Sequence, residues 1–219
     1  MGKNFVIYGD TSFAEEMYKI ISFEGRDIVI AFTNDRAFLN RREIDGIPVI
    51  PIDELANSMQ KPFEVLLAFG YTQMNKLREK IYYECKVAGF IVGSYISTNA
   101  ICYSNNIGEG TFIWPGVYIG PDVVIGTCNI IKAACEIAHN NVIGDFNYIA
   151  GSVVMGGLAC IGNHCFIGLN STLRDNIHLA DYTLLGCGCN MLKNNDIVGG
   201  GYVGNPARML KKRSLDIKI

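Results

Sequence analysis

The sequence predicts a two-part chain, a small α/β domain followed by a parallel β-helix built of hexapeptides. Three observations predict it. A large aliphatic residue recurs every six positions from Ile101 to Ile197, seventeen positions in phase without a break. Glycine follows many of these aliphatics directly, as at Gly108, Gly120, Gly126, Gly144, Gly162 and Gly168. Before about residue 95 the repeat is absent, and short apolar runs alternate with amphipathic stretches.

In the N-terminal part, Phe5-Val6-Ile7-Tyr8 reads as a buried strand ending at Gly9. Ser12 is placed to cap a helix whose Phe13, Met17, Ile20 and Ile21 fall on one face. Ile28 to Phe32 is a strand, Asp53 opens a short helix, and Val65 to Ala68 is a strand. Leu77, Ile81, Cys85 and Ala88 then stripe a helix that stops at Gly89. Alternating strands and helices make a parallel sheet, whose ligand sits at the C-terminal strand ends, near Gly9 and Asn34-Asp35.

From residue 101 the period is six, which fits neither the 3.6 of a helix nor the alternation of a single strand. It fits short flat strands meeting at corners, each sending one large aliphatic into a narrow core. Three strands make a coil of 18 residues, so residues 18 apart stack at about 4.8 Å. Glycines then serve the corners, where positive φ and close backbone approach exclude side chains. The expected division is 1–95 for the α/β domain, 96–199 for the β-helix and 200–219 for a C-terminal tail.

Composition removes other classes. The chain has 219 residues, 49% hydrophobic and 18% charged, with a formal net charge of −2. That charge predicts neither nucleic acid nor an anionic membrane as partner. No apolar run reaches the length of a membrane span, the N-terminus lacks a signal h-region, and the eight cysteines show no Cys-x-x-Cys pair. A reducing, cytoplasmic protein is expected. Cys135, Cys165 and Cys189 take the small inward hexad place, where a thiol packs as a small hydrophobe. The three histidines of the repeat, His139, His164 and His178, fall at different hexad places, so one chain cannot gather them as a metal triad. Gly157 lies 18 residues after His139, which predicts an open side to its imidazole.

The stretch Ile137-Ala138-His139-Asn140-Asn141-Val142-Ile143-Gly144-Asp145-Phe146 follows the frame Ile-x-His-(Asp/Glu)-Cys-x-Ile-Gly-(Asp/Glu)-Phe. Leu179-Ala180-Asp181, Leu185-Gly186-Cys187-Gly188, Lys193-Asn194 and Gly204-Asn205-Pro206-Ala207-Arg208 continue the match. With these motifs the chain resembles the hexapeptide-repeat sugar-nucleotide acetyltransferases of the sialic acid O-acetyltransferase type, most nearly those acting on UDP- or dTDP-linked 4-amino-4,6-dideoxy sugars. The resemblance implies a Rossmann-like N-terminal domain that binds the nucleotide sugar, then a left-handed β-helix that uses acetyl-CoA. It also implies a homotrimer with active sites between subunits and no metal. It assigns His139 as general base with Asn140 beside it, and the oxyanion position beside the thioester to Gly157. Tyr148, Gly168, Gly186, Cys187 and Gly188 would then line the pantetheine path, and Gly9, Thr11, Ser12, Asn34, Asp35 and Lys132 would contact the nucleotide sugar.

The chain departs from that frame in four places. Asn140 stands where the family has Asp or Glu, and can hold a tautomer of His139 without supplying charge. Lys132 replaces an asparagine near the reacting amine, Tyr148 replaces a second histidine, and Asp10 enters the first loop, where it is a poor neighbour for a pyrophosphate. N-acetyl transfer is the expected reaction. O-acetylation of a sugar hydroxyl, or a non-catalytic prism that binds a nucleotide sugar or a protein, remain the alternatives.

Overall fold

In the first of two compact units, which runs to Gly70 and resumes over Lys80–Gly93, five strands form a sheet. The computed structural model describes residues 2–59 and 62–218. Strand β1 (Asn4–Tyr8) lies at the centre, paired in parallel with β2 (Ile28–Asn34) and with β5 (Glu64–Leu67). The sheet continues from β2 to β4 (Ile47–Pro51) in parallel, and β3 (Glu43–Ile44) forms an antiparallel edge. The last two strands were not expected, because Pro48 and Gly46 mask their pattern; Pro48 is tolerated near the edge, where few ladder bonds are needed.

Helix α1 (Ser12–Glu24) buries Ala14, Met17 and Ile21 against this sheet. Burying each of the larger two contributes roughly 1.5–3 kcal/mol. Its N-cap is Thr11 rather than Ser12, and no side-chain oxygen caps the first turn; the Thr11 carbonyl instead accepts the Glu15 amide at 3.1 Å. Helix α2 spans Ile52–Ser58, one residue earlier than Asp53 suggested. Helix α3 (Lys76–Val87) ends before Gly89, which has φ +83°.

The second unit takes Tyr71–Glu79 and everything from Ser94 onward. The segment 71–79 therefore groups with the coil rather than with the domain that surrounds it in sequence. The coil has three flat faces, with sheets of four, eight and six strands. Registers such as Ile130↔Tyr148, Glu136↔Val154 and Val142↔Cys160 give the 18-residue stacking read from the period. The aliphatics from Ile113 to Met191 point inward and are buried.

At both ends the phase slips. Cys102, not Ile101, is paired with Ile119, and Ile101 is 56% exposed. At the other end Asn195 bridges to Leu179, and the in-phase Ile197 is exposed. The first and last coils are shortened, so a fixed step of six overruns them.

The glycine reading also changes. The left-handed corner residue is the third after each aliphatic; glycine holds it at Gly110, Gly116 and Gly188, but elsewhere its occupants are Asp122, Cys128, Ala134, Asn140, Phe146, Ser152, Leu158, His164, Asn170, Asn176 and Tyr182, all with φ between 53° and 62°. The glycines directly after the aliphatics are needed for close approach instead. A Cβ on Gly126, Gly144 or Gly162 would collide with the side-chain oxygen of Asp145, Asn163 or Asp181, one coil further on. Those oxygens form a ladder, each accepting a backbone N–H of the coil below at 2.7 Å. A second, inner ladder runs through Thr111, Asn129 and Asn147 to the Cys165 amide. Ladders of this kind satisfy corner amides that the strands leave unpaired.

Segment 71–79 packs on the row of corners that contains Phe146, His164 and Tyr182. Arg78 is fully buried there and donates to the carbonyls of Cys128 and Asn147, both at 3.0 Å, and to Asn75 Oδ1 at 3.2 Å. Burial pulls its pKa down to about 10. Asn75 in turn donates to the Cys165 carbonyl at 3.2 Å. The inward thiols behave as small hydrophobes, and burial pushes Cys135 up to about 11 and Cys165 up to about 12.

Candidate active site

His139 lies at a corner of the coil, on the residue before the left-handed Asn140. Asn140 is turned back by its φ of 56°, and its Oδ1 meets His139 Nδ1 at 2.9 Å. With an amide oxygen as acceptor, Nδ1 carries the proton and Nε2 presents its lone pair, the form a general base requires. The imidazole lies over Gly157, where a Cβ would come within 2.6 Å of Nε2. The expected open side is thus filled by the ring itself, and Gly157 is the seat of the imidazole. The Gly157 amide takes no part in the hydrogen bonds of the coil among the described residues.

Beside His139 a groove of about 780 Å³ crosses the flat face, lined among others by Gly116, Tyr118, Pro121, Ala134, Glu136 and His139. Glu136 and Tyr118 face outward as a cross-strand pair on neighbouring coils. Neither was singled out in the sequence, although the 18-residue step places both on one face with Val154.

Lys132 does not reach this groove as an open charge; its Nζ sits 4.4 Å from the centroid of the Trp114 ring, one coil below. Gly168 and Gly186–Gly188 occupy a different corner, the one shared with the left-handed Asn170 and with Ala134. Cys187 and Gly188 are exposed. Gly168 is closed in by backbone, a Cβ there lying 2.6 Å from the Leu185 carbonyl oxygen. Tyr148 lies on a face away from His139, its ring packed by Tyr71 at 5.0 Å and Phe166 at 5.7 Å. His164 is buried between the rings of Phe146 and Tyr182, and His178 is exposed. Among the described residues no three His, Cys, Asp or Glu side chains group as metal ligands.

In the first unit, Gly9, Thr11, Ser12, Asn34 and Asp35 gather at the C-terminal ends of β1 and β2. Gly9 has φ +130°, and a Cβ there would meet the Ala68 carbonyl at 3.0 Å, so glycine is required. Asn34 Nδ2 donates to Asp10 Oδ1 at 2.9 Å, and Asn34 Oδ1 accepts the Asp35 amide at 2.9 Å. Tyr8 Oη donates to Asp35 Oδ1 at 2.7 Å; burial and this bond raise the tyrosine pKa. Asp35 also lines a cavity of about 390 Å³ with Tyr8, Asp53, Lys80 and Glu84. Thr11 and Ser12 are exposed at the start of α1.

Residues 4–85 match the PglD N-terminal domain, and residues 106–139 match the bacterial transferase hexapeptide, six repeats. The fold is similar to that of the acetyltransferase domain of PglB from Neisseria gonorrhoeae, with a TM-score of 0.82 at 21% identity, covering 95% of this chain and 100% of that one. It is similar to a histidine-to-alanine variant of GDP-perosamine N-acetyltransferase from Caulobacter crescentus, in complex with CoA and GDP-perosamine, with a TM-score of 0.83 at 20% identity over 95% and 97% of the two chains. WeeI from Acinetobacter baumannii gives 0.79 at 23% identity over 95% and 100%. Among curated sequences, the bifunctional protein GlmU of Clostridium botulinum is 28% identical over 137 residues, 52% of this chain. The chain spans about 30% of the length of that relative. No helix among the described residues is long and apolar enough to cross a membrane. The fold is thus a Rossmann-like domain that matches the PglD N-terminal domain over residues 4–85, followed by a left-handed parallel β-helix that matches the transferase hexapeptide over residues 106–139.

Proposed function

We propose that this protein is an acetyl-CoA-dependent acetyltransferase that acetylates the amino group of a nucleotide-linked sugar by direct transfer. The observation that carries the reading is the His139 side chain, tethered through Nδ1 by Asn140 and seated on Gly157, with Nε2 free beside a groove. The Caulobacter relative, whose histidine variant was studied with CoA and GDP-perosamine, supports it.

In the reaction the acceptor nitrogen attacks the thioester carbonyl while Nε2 of His139 takes its proton. The Gly157 N–H stabilises the oxyanion of the tetrahedral intermediate. Collapse breaks the carbon–sulfur bond, and the imidazolium returns the proton to the CoA thiolate. Asn140 holds the tautomer by a neutral bond, so the imidazolium gains no carboxylate beside it. Gly9, Thr11, Ser12, Asn34 and Asp35 hold the nucleotide sugar, with its base toward the cavity at Asp35.

His139 and Gly157 lie at one corner and Gly168 and Gly186–Gly188 at another, an arrangement that suits an acetyl donor held between the corners of two copies. This supports a homotrimer whose clefts carry the pantetheine arm along Tyr148, Gly168, Gly186, Cys187 and Gly188. Cytoplasmic location follows from the nucleotide-sugar and acetyl-CoA substrates.

The test is free-thiol release from acetyl-CoA with UDP-, dTDP- and GDP-linked 4-amino-4,6-dideoxyhexoses, beside their 4-hydroxy counterparts. Release with an amino sugar, abolished in His139→Ala with the fold intact, is expected. Silence across the panel in a folded protein that binds no CoA would leave a binding prism instead.

A further inference from the structure

We propose that Glu136 recognises the acceptor amine in its charged form and thereby directs acetylation to nitrogen rather than oxygen; the inference rests on the acetyltransferase reading above. Among the described residues that line the groove, Glu136 is the one carboxylate, and no lysine or arginine lines it. It faces outward from the strand Glu136–Ile137, between Tyr118 on the coil below and Val154 on the coil above. Its carboxylate is exposed and makes no hydrogen bond or ion pair with any described residue. The nearest cation along the chain, Lys132, is committed to the Trp114 ring. The groove therefore carries an unpaired carboxylate on the same face as His139.

A ligand that fills such a groove takes water from the carboxylate, and that is unfavourable unless the ligand brings a compensating charge. An ammonium group compensates it, and the acetyl acceptor of an N-transferase is an amine that is substantially protonated near neutral pH. A hydroxyl supplies one neutral hydrogen bond and leaves the charge in place.

The protons balance. The bound ammonium releases one proton to water at the groove mouth and becomes the free amine. Its nitrogen then attacks the thioester carbon, its second proton passes to His139 Nε2, and the carbon–sulfur bond breaks. That proton ends on the CoA thiol. Glu136 binds and orients, and forms no covalent bond.

The test is Glu136→Gln, which keeps size and polarity and removes the charge at an exposed position. Thiol release is followed with a 4-amino sugar nucleotide, with its 4-hydroxy counterpart read as substrate or as competitive inhibitor, and melting midpoint and assembly mass are measured in parallel. The expected result is a fall of about ten- to a hundredfold in kcat/KM for the amine, carried by KM, with the constant for the hydroxyl compound unchanged. Glu136→Asp should recover part of the loss. An unchanged amine reaction, an equal loss for both compounds, or a changed assembly mass would overturn the inference alone. Absence of thiol release by the unsubstituted protein with every acceptor would overturn the acetyltransferase reading and this inference together.

Discussion

Replacing Gly157 by alanine puts a methyl group into the seat of the His139 ring. The added Cβ would lie 2.6 Å from Nε2, 2.7 Å from Cε1 and 3.1 Å from Cδ2. Ordinary contact begins at about 3.5 Å, so the ring must retreat by about 0.9 Å. Gly157 has no left-handed φ, and the imidazole is an exposed side chain that can swing, so the coil itself should tolerate the methyl group. A displacement of about 1 Å at a reacting group costs about a hundredfold in rate, or about 2.7 kcal/mol of barrier. The expected outcome for Gly157→Ala is a hundredfold lower kcat in thiol release at saturating acetyl-CoA and acceptor, with a melting midpoint within a few degrees of the parent. A kcat within twofold of the parent would refute the claim that the glycine seat positions the base. A collapsed melting midpoint would show instead that Gly157 is required by the coil.

Arg78→Ala removes a buried guanidinium and its bonds to the Cys128 and Asn147 carbonyls; a loss of about 3–5 kcal/mol is expected in urea unfolding. His164, stacked at 4.7 Å on Tyr182 and at 5.3 Å on Phe146, has its pKa lowered from 6.5 chiefly by burial, against the raising effect of Glu79. The unfolded chain then binds the proton more readily than the folded one, so stability should fall as pH drops below about 6.5. His164→Phe, copying the aromatic one coil below in the same left-handed conformation, should flatten that dependence in a series of melts from pH 7.5 to 5. Gly168→Ala meets backbone at 2.6 Å and should unfold the upper coils, whereas Gly188→Ala has no atom within 4 Å and should cost only about 1 kcal/mol for its φ of +66°. Melting midpoints of the two variants check this contrast.

The hexad was legible because every coil repeats the same physical demand, one inward aliphatic per strand, and repetition makes a weak signal strong. Its ends were not, since a closing coil of seventeen or sixteen residues, as at Cys102↔Ile119 and Leu179↔Asn195, answers to termination rather than to stacking. The glycines were visible but their cause was not: the collision with Asp145, Asn163 and Asp181 joins residues 19 apart, a contact that local φ preference does not encode. Leu77 belongs to the helical stripe read from the sequence, yet Tyr71, Asn75 and Arg78 around it are spent on the coil, and only the tertiary structure reveals what a fully buried arginine caps. At the candidate site His139 and Asn140 stood out by motif. Glu136 did not, because an outward glutamate on a strand looks like any solvated charge until the groove beside it is known.

The stacking of His139 under Gly157 makes chain length itself a constraint on this protein. Deleting one hexapeptide, for instance residues 142–147, leaves the inward aliphatic rhythm intact and yet turns everything above by a third of a revolution. Asn163 would then stand over His139 where Gly157 does now. Deleting a full 18 residues above the site instead keeps every remaining residue at its own corner, one storey lower. Insertions and losses are therefore quantised twice over: in sixes the coil still closes its core, but only in eighteens do the corners of different storeys keep facing the same way.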